Sequence, residues 1–301
     1  MKKILTIICF FVINNTVFSQ INVPNFIRFY QDDCYYVGYN NQLFECNIFR
    51  RIYRNITDLC YIDNNGYLRI DYKISNASFH TTIREVPYYL ILAPRQLFVL
   101  MSDQRIGVTN LIPDYLFPNI FIDSISSNSF LIENSLEYSP QNFLKRFFRT
   151  DMGFPYEYWS RALPLAISQE QMSTFEMEIT FQNDVEGILL LNGFVDFSRP
   201  HLYNNNRRIR ELKIIDKNNG FEQNYFIEDR IEFQELIFPK LTNGIVIKII
   251  SYYEGNRYTD ICCSSIIPIY NAAMFSQARL SFVPDYDSFI KEMFENYREI
   301  Q

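Results

Sequence analysis

Residues 173–195, "STFEMEITFQNDVEGILLLNGFV", carry the pattern that decides the fold. Phe175, Met177, Ile179 and Phe181 alternate with Glu176, Glu178 and Thr180. That is the period-2 rhythm of a strand with one face in a core and the other in water. The apolar run that follows closes on Asn192-Gly193, a dipeptide suited to a tight turn. Downstream, "RIRELKIID", "DRIEFQELIF" and "GIVIKIISYYEG" give further strands at short spacing. With no helical pattern between them, they predict a β-sandwich or jelly roll rather than an α/β fold.

Upstream the chain reads as a second, smaller β unit. In "NNGYLRIDYKISN", Leu68, Ile70, Tyr72 and Ile74 alternate with charged residues after an Asn-Asn-Gly turn. "YYLILAP" and "QLFVLMSD" form one expected hairpin, and "DDCYYVGYNNQLFEC" another across Asn40-Asn41. Pro113 and Pro118 in "NLIPDYLFPNIF" interrupt the apolar runs and mark a boundary. After the strands, Phe289, Met293 and Tyr297 stand four apart, with Ile290 and Phe294 beside them, which predicts an amphipathic C-terminal helix. The expectation is a mainly β protein with a small antiparallel β domain over 20–121, a jelly-roll sandwich over 122–272, and a helical tail over 273–301 that packs back on the sandwich.

Composition fits this division. The chain has 301 residues, 48% apolar and 17% aromatic, with a single Trp. The length suggests two compact units, and the apolar content is ample for their cores. A net charge of −6 and a pI near 5.1 exclude general nucleic-acid binding, which needs a basic face. Residues 1–19, "MKKILTIICFFVINNTVFS", have a charged end at Lys2 and Lys3, a short apolar run, and small residues at Val17 and Ser19. This is the order of a secretory leader cleaved before Gln20, and it places the mature protein outside the cytoplasm, secreted, periplasmic or on the envelope. No later run is long and apolar enough to be a transmembrane helix. Of the cysteines past the leader, Cys34, Cys46 and Cys60 admit one disulfide with a thiol left over, a pairing the sequence does not specify. Cys262 and Cys263 are adjacent and point to opposite faces of a strand. They are read as buried small residues or, alternatively, a vicinal disulfide.

Catalytic chemistry is hard to build from these residues. The histidines, His80 and His201, stand far apart with no partner at zinc spacing. There is no nucleophile-elbow turn, no Gly-rich phosphate loop and no His-Glu-x-x-His. Adjacent acids such as Asp32-Asp33 and Glu228-Asp229 read as solvated loop residues. The chain is therefore expected not to be an enzyme.

A resemblance rests on landmarks in order: "SSNSFLIEN" followed by "YSPQNFL", the Trp159 region, "FEMEITF", "LLLNGFVD", "LYNNNRRIRELKI", "IEFQELIF" and "GIVIKIISYYEGNRYTDICCSSIIPI". The span from about Asp123 to Asn271 resembles the NADase-type glycan-binding domain. That domain is a discoidin-type, galactose-binding-like sandwich, also described as the coagulation-factor type C domain that assists translocation of an NAD glycohydrolase. The family has a Gly-rich segment where "SRALPLAISQEQMSTFEMEI" has no Gly. The glycohydrolase domain has no counterpart, so NAD cleavage is not implied. The resemblance implies non-catalytic recognition of a glycan or other surface ligand; the alternative is an envelope-associated interaction or scaffolding module without sugar binding.

Within that frame the basic, amide-rich knot "LYNNNRRIREL" is expected to enter a strand after a loop. Its amides are read either as turn and strand-cap groups or as ligand contacts. In the second reading Asn204, Asn205, Asn206 and Arg207 bond sugar hydroxyls while Tyr203 or Trp159 stacks on a pyranose face. Arg207 is expected to be structural, pairing with Asp260, and Asn204 and Tyr203 to be accessible. Asp260, in "YTDICC", is read as a buried acid satisfying an Arg or strand-end amides, as an acceptor for sugar hydroxyls, or as one ligand of a structural calcium ion. No other cofactor is expected.

Overall fold

The computed structural model describes residue 23 and residues 26–31, 34–70, 88–93, 96–100, 106–108, 122–149, 163–196, 198–218, 220–270 and 286–300. The leader 1–19, Trp159 and the second half of the strand expected at 68–74 lie outside the described residues.

The protein is mainly β. In the N-terminal unit, β1 (Phe26–Gln31), β2 (Cys34–Tyr39), β3 (Gln42–Asn47) and β4 (Ile52–Asn55) form an antiparallel meander. The β2–β3 turn is the expected one: Asn40 and Asn41 both have positive φ (48° and 61°), as a type I′ hairpin requires. A second meander contains β5 (Cys60–Ile62), β6 (Leu68–Ile70), β7 (Tyr88–Ala93), β8 (Gln96–Leu100) and β9 (Ile106–Val108). Its β7–β8 pair is the other expected hairpin. Tyr36, Leu43, Ile56, Leu68 and Ile70 share one core cluster, so the two sheets face each other through it.

The segment that builds the sandwich contains β10 (Ile122–Ser127), the hairpin β11–β12 (Ile132–Glu133 and Leu136–Glu137), β14 (Leu165–Ile167) and β15 (Met177–Asn192), together with β13 (Phe147–Arg149), which joins the sheet of the second N-terminal meander instead. After these come the short helix α1 (His201–Asn205), then β16 (Arg207–Asp216), β17 (Glu222–Phe226), β18 (Phe233–Tyr253) and β19 (Ile261–Ile269). The two longest strands serve both sheets. The first half of β15 lies between β10 and the second half of β18, beside β16 and β17. Its second half pairs with β19 and the first half of β18. Register shifts between Thr180 and Gly187 mark the bend where the strand changes sheet. The alternation therefore stops there for a physical reason: Met177, Ile179 and Phe181 are buried against exposed Glu176 and Glu178, while Ile188–Leu191 are buried on both faces. Between the sheets lie Phe175, Leu190, Leu212, Ile214, Ile245, Ile247 and their neighbours, each fully buried side chain worth about 1.5–3 kcal/mol relative to exposure.

Both ends of the sandwich segment reach back to the N-terminal unit. β13 pairs in parallel with β9. After the sandwich, α2 (Tyr286–Asn296) and β20 (Arg298–Glu299) return as well: β20 pairs in parallel with β4. The helix forms as expected, but the expectation that it covers the sandwich is corrected. Phe289, Ile290 and Met293 pack on Tyr35, Val37, Phe44, Cys46 and Tyr53 of the first meander, and the Tyr286 hydroxyl donates to the Gly38 carbonyl at 2.7 Å. That sheet face is apolar and aromatic and needs a cover; Phe294 meets the rings of Phe44 and Tyr53 edge-on at 5.5 Å. Elsewhere the units meet at Tyr67, fully buried, whose hydroxyl accepts from the Asp196 amide at 2.9 Å.

Candidate functional site

The amide-rich knot is a structural joint. "HLYNN" forms α1 rather than the expected loop, and the segment 254–260 is bonded onto its end. The Asn204 carbonyl accepts from the Asn256 amide, and the Asn205 carbonyl from the amides of Arg257 and Tyr258. A side chain at Gly255 would lie within 3 Å of backbone atoms of Asn205, Asn206 and Tyr258, so the close approach requires glycine. Asn204 and Asn205 thus act through their main chain.

Arg207 is structural, but its acid is Glu254, not Asp260. Its Nε donates to Glu254 Oε2 at 3.0 Å and its Nη1 to Gln169 Oε1 at 2.7 Å, with the guanidinium 4.5 Å above the Tyr252 ring. Only its backbone amide meets Asp260, at the carbonyl oxygen. The strand register explains the correction: Arg207 and Ile261 lie side by side in the β16–β19 ladder, which joins their backbones and leaves the guanidinium to Glu254. The expectation of an accessible Tyr203 is also corrected. Its ring is 4% exposed, its hydroxyl donates to Asp229 at 3.1 Å, and Arg208 stacks on it. Arg208, which the sequence reading passed over, clamps Asp229 through two 2.7 Å bonds and donates to the carbonyls of Asn206 and Glu254. Asp229, read as a solvated loop acid, is the anchor of this network.

Beside the joint lies a cleft of about 210 Å³. Its floor is the outer face of the second sheet. Cys262 faces it while Cys263 faces the core, as adjacent strand residues must. Both are thiols; burial pushes the Cys262 thiol well above its ordinary range, so it acts as a small apolar residue beside Ala166 and Leu202.

One wall is the β11–β12 hairpin, whose turn residues Asn134 and Ser135 both have positive φ. Backbone bonds from Leu131 to the Ala166 carbonyl and from Ala166 to the Tyr138 carbonyl fasten this hairpin to β14. It presents Glu133 and Tyr138 to the cleft. The opposite wall carries Asn206, Tyr258 and Asp260. At the head, Phe194 meets Tyr138 edge-on, and Arg199 lies 5.7 Å over the Phe194 ring. Asp196 holds Arg199 through its Nε at 2.9 Å, leaving the arginine side chain 40% exposed. Burial, then the charge of Glu133, push the Asp260 carboxyl up from its ordinary value against the pull of Arg207.

Of the residues expected to form a site, the cleft brings together Asn206 and Asp260. Tyr203, Asn204, Asn205 and Arg207 support it from behind. Glu133, Tyr138, Phe194, Arg199 and Tyr258 were missed. The signal for the first two was an Asn-Ser turn between "LIE" and "LEY", a hairpin legible in the sequence; the others sit in irregular segments without periodicity. Among the described residues, no three His, Cys, Asp or Glu side chains converge as a metal site, and no helix is long and apolar enough to cross a membrane.

No family model matches the chain, and no curated protein matches it. Solved structures do. One is the CBM32-2 module of a GH31 protein, bound to GalNAc; it shares 14% identity at a TM-score of 0.30, over 50% of this chain and 99% of that one. Another is a pectin binding carbohydrate binding module, at 11% identity and a TM-score of 0.30, over 49% of this chain and 89% of that one. Both of these neighbours are carbohydrate-binding modules.

Proposed function

We propose that the mature chain is an exported, non-catalytic recognition protein that binds a glycan in the cleft beside β14 and β19. The observation that carries this reading is the mixed lining, in which the rings of Tyr138, Phe194 and Tyr258 stand next to the polar groups of Asn206 and Asp260. A pyranose offers apolar C–H faces to rings and directional hydroxyls to such acceptors, the combination that small-molecule sites use to fix orientation. The resemblance of residues 123–271 to NADase-type glycan-binding domains supports a sugar ligand, and the leader-like residues 1–19 support export. A glycan array probed with the chain beginning at Gln20 tests the reading. A defined set of glycans should be retained and then lost in Tyr258→Ala, whose ring is 37% exposed and contributes little to folding; no retained glycan should be hydrolysed. An array blank for every glycan would favour the scaffolding alternative.

A further inference from the structure

The cleft carries acceptors that no group among the described residues satisfies, beside the donor-bearing side chains of Arg199, Tyr138 and Tyr258. Glu133 and Asp260 both line it, and neither carboxylate has an ion-pair or hydrogen-bond partner among the described residues. Arg199 and Arg207 pair with Asp196 and Glu254, and the pull of Arg207 on Asp260 is outweighed by burial and by Glu133. Asn206, 5% exposed, donates its amide group to the Leu202 carbonyl. Its Oδ1 is left as a third acceptor without a partner among the described residues. Asp260 is partly buried and feels the charge of exposed Glu133, and a partly desolvated acid beside a like charge is costly unless something positive completes it. The rings tolerate cations well, since Arg199 and Arg257 already lie over Phe194 and Tyr258, at 5.7 and 5.2 Å. The net charge of −6 also draws cations toward the molecule.

We infer that the cleft selects a sugar bearing a free amino group, its ammonium held by Glu133, Asp260 and Asn206 and its ring against the tyrosines. This rests on the carbohydrate reading above and specifies its chemistry. An ammonium has three donors and no acceptor, matching three acceptors. N-acetylation removes the charge and two of the donors, and a uronate adds repulsion. At about 210 Å³ the cleft is below the roughly 300–1,000 Å³ of drug-sized pockets, which suits one ring rather than a long oligosaccharide segment.

The test is calorimetric titration of the chain beginning at Gln20 with four probes: tetramers of β-1,4-linked glucosamine, of N-acetylglucosamine, of galacturonate, and of lysine. The glucosamine tetramer should bind about tenfold or more tighter than its acetylated counterpart, as expected for one charge-assisted contact, and galacturonate should not bind. Glu133→Gln and Asp260→Asn, both near-isosteric, should each erase most of that preference with unchanged circular dichroism, and Glu133→Lys should abolish glucosamine binding. Equal or tighter binding of the acetylated tetramer or of galacturonate would overturn the amino-sugar assignment while leaving the carbohydrate reading intact. So would glucosamine binding that ignores all three substitutions. A lysine tetramer that binds as tightly as glucosamine would show a site for cations rather than sugars. If no oligosaccharide binds and the array is also blank, both readings fall.

Discussion

Arg207 and Arg208 differ in how exposed their acids are. Glu254, held by Arg207, has a side chain 70% exposed, whereas Asp229, held by Arg208, is 33% exposed. Arg208→Ala would strand Asp229 beside buried Tyr203 and free two carbonyls of the joint, a loss on the order of 3 kcal/mol. Arg207→Ala returns Glu254 to water and should cost nearer 1 kcal/mol. Urea denaturation of the two variants checks the order, and equal losses would contradict it. The sequence marked Arg207 as structural but named the wrong acid and gave Arg208 no role, because two adjacent Arg offer several nearby carboxylates and only the strand register decides among them. Asp260 gives a second residue-scale prediction. Its folded-state pKa is raised, by burial first and Glu133 second, so ionising it opposes folding. The associated stability is fully present below the unfolded value of roughly 3.9 and is lost as pH rises through the higher folded value. Asp260→Asn should therefore stabilise the protein at pH 7 and raise its melting temperature, the free-energy gain being limited by solvent screening to at most about 1 kcal/mol. The gain should vanish toward pH 3. A variant that is more stable yet binds its ligand less tightly is the signature of a group kept for recognition.

Among the elements, those with a strong local rhythm were legible. The alternation at 175–181, the Asn40-Asn41 turn and the apolar face of 289–297 each specify a period or turn geometry, and each appears in the structure. Helix α1 was not legible because five residues are too few to display a helical period. The strands β13 and β20, three and two residues long, carry no signal of where they pair. Much of the cleft was illegible for a related reason, since its walls come from a hairpin, a strand end and two irregular segments whose approach depends on tertiary bonds. Gly255 is the tightest of these approaches. Gly255→Ala would press a methyl group against the Asn205 and Tyr258 carbonyl oxygens and the Asn206 carbonyl carbon. Backbone cannot yield as a flexible side chain can, so the segment bearing Tyr258 and Asp260 should shift at a cost of about 1–3 kcal/mol. Ligand affinity and thermal stability should fall together in this variant, in contrast to Tyr258→Ala, where affinity alone falls. A Gly255→Ala protein that binds normally would mean the segment does not shape the site.

At the scale of the molecule, the chain order and the packing order diverge. A division at residue 121 follows the proline-marked boundary, yet β13 pairs with β9, β20 pairs with β4, and α2 covers the first meander. An amphipathic helix shows which of its faces is apolar but not which surface it will cover, so this return to the N-terminal unit could not be read from the tail itself. The consequence is that 122–301 is not a self-contained piece: it would carry Phe289, Ile290 and Met293 bare, along with two short strands lacking their partners. The sandwich core cluster, by contrast, contains no residue of the N-terminal unit or of α2. Met293, with no exposed surface, distinguishes the two units in the intact protein. Met293→Asp places an unpaired carboxylate among Tyr35, Phe44 and Tyr53, which costs several kcal/mol and should release α2 and β20 from the first meander. Hydrogen exchange read by mass spectrometry should then show protection lost over residues 35–55 and 286–299 but retained over 177–192 and 233–253. Uniform loss across all four segments would mean that the sandwich depends on the N-terminal unit for its own stability, through contacts such as Tyr67 with Asp196, and that the two units unfold as one.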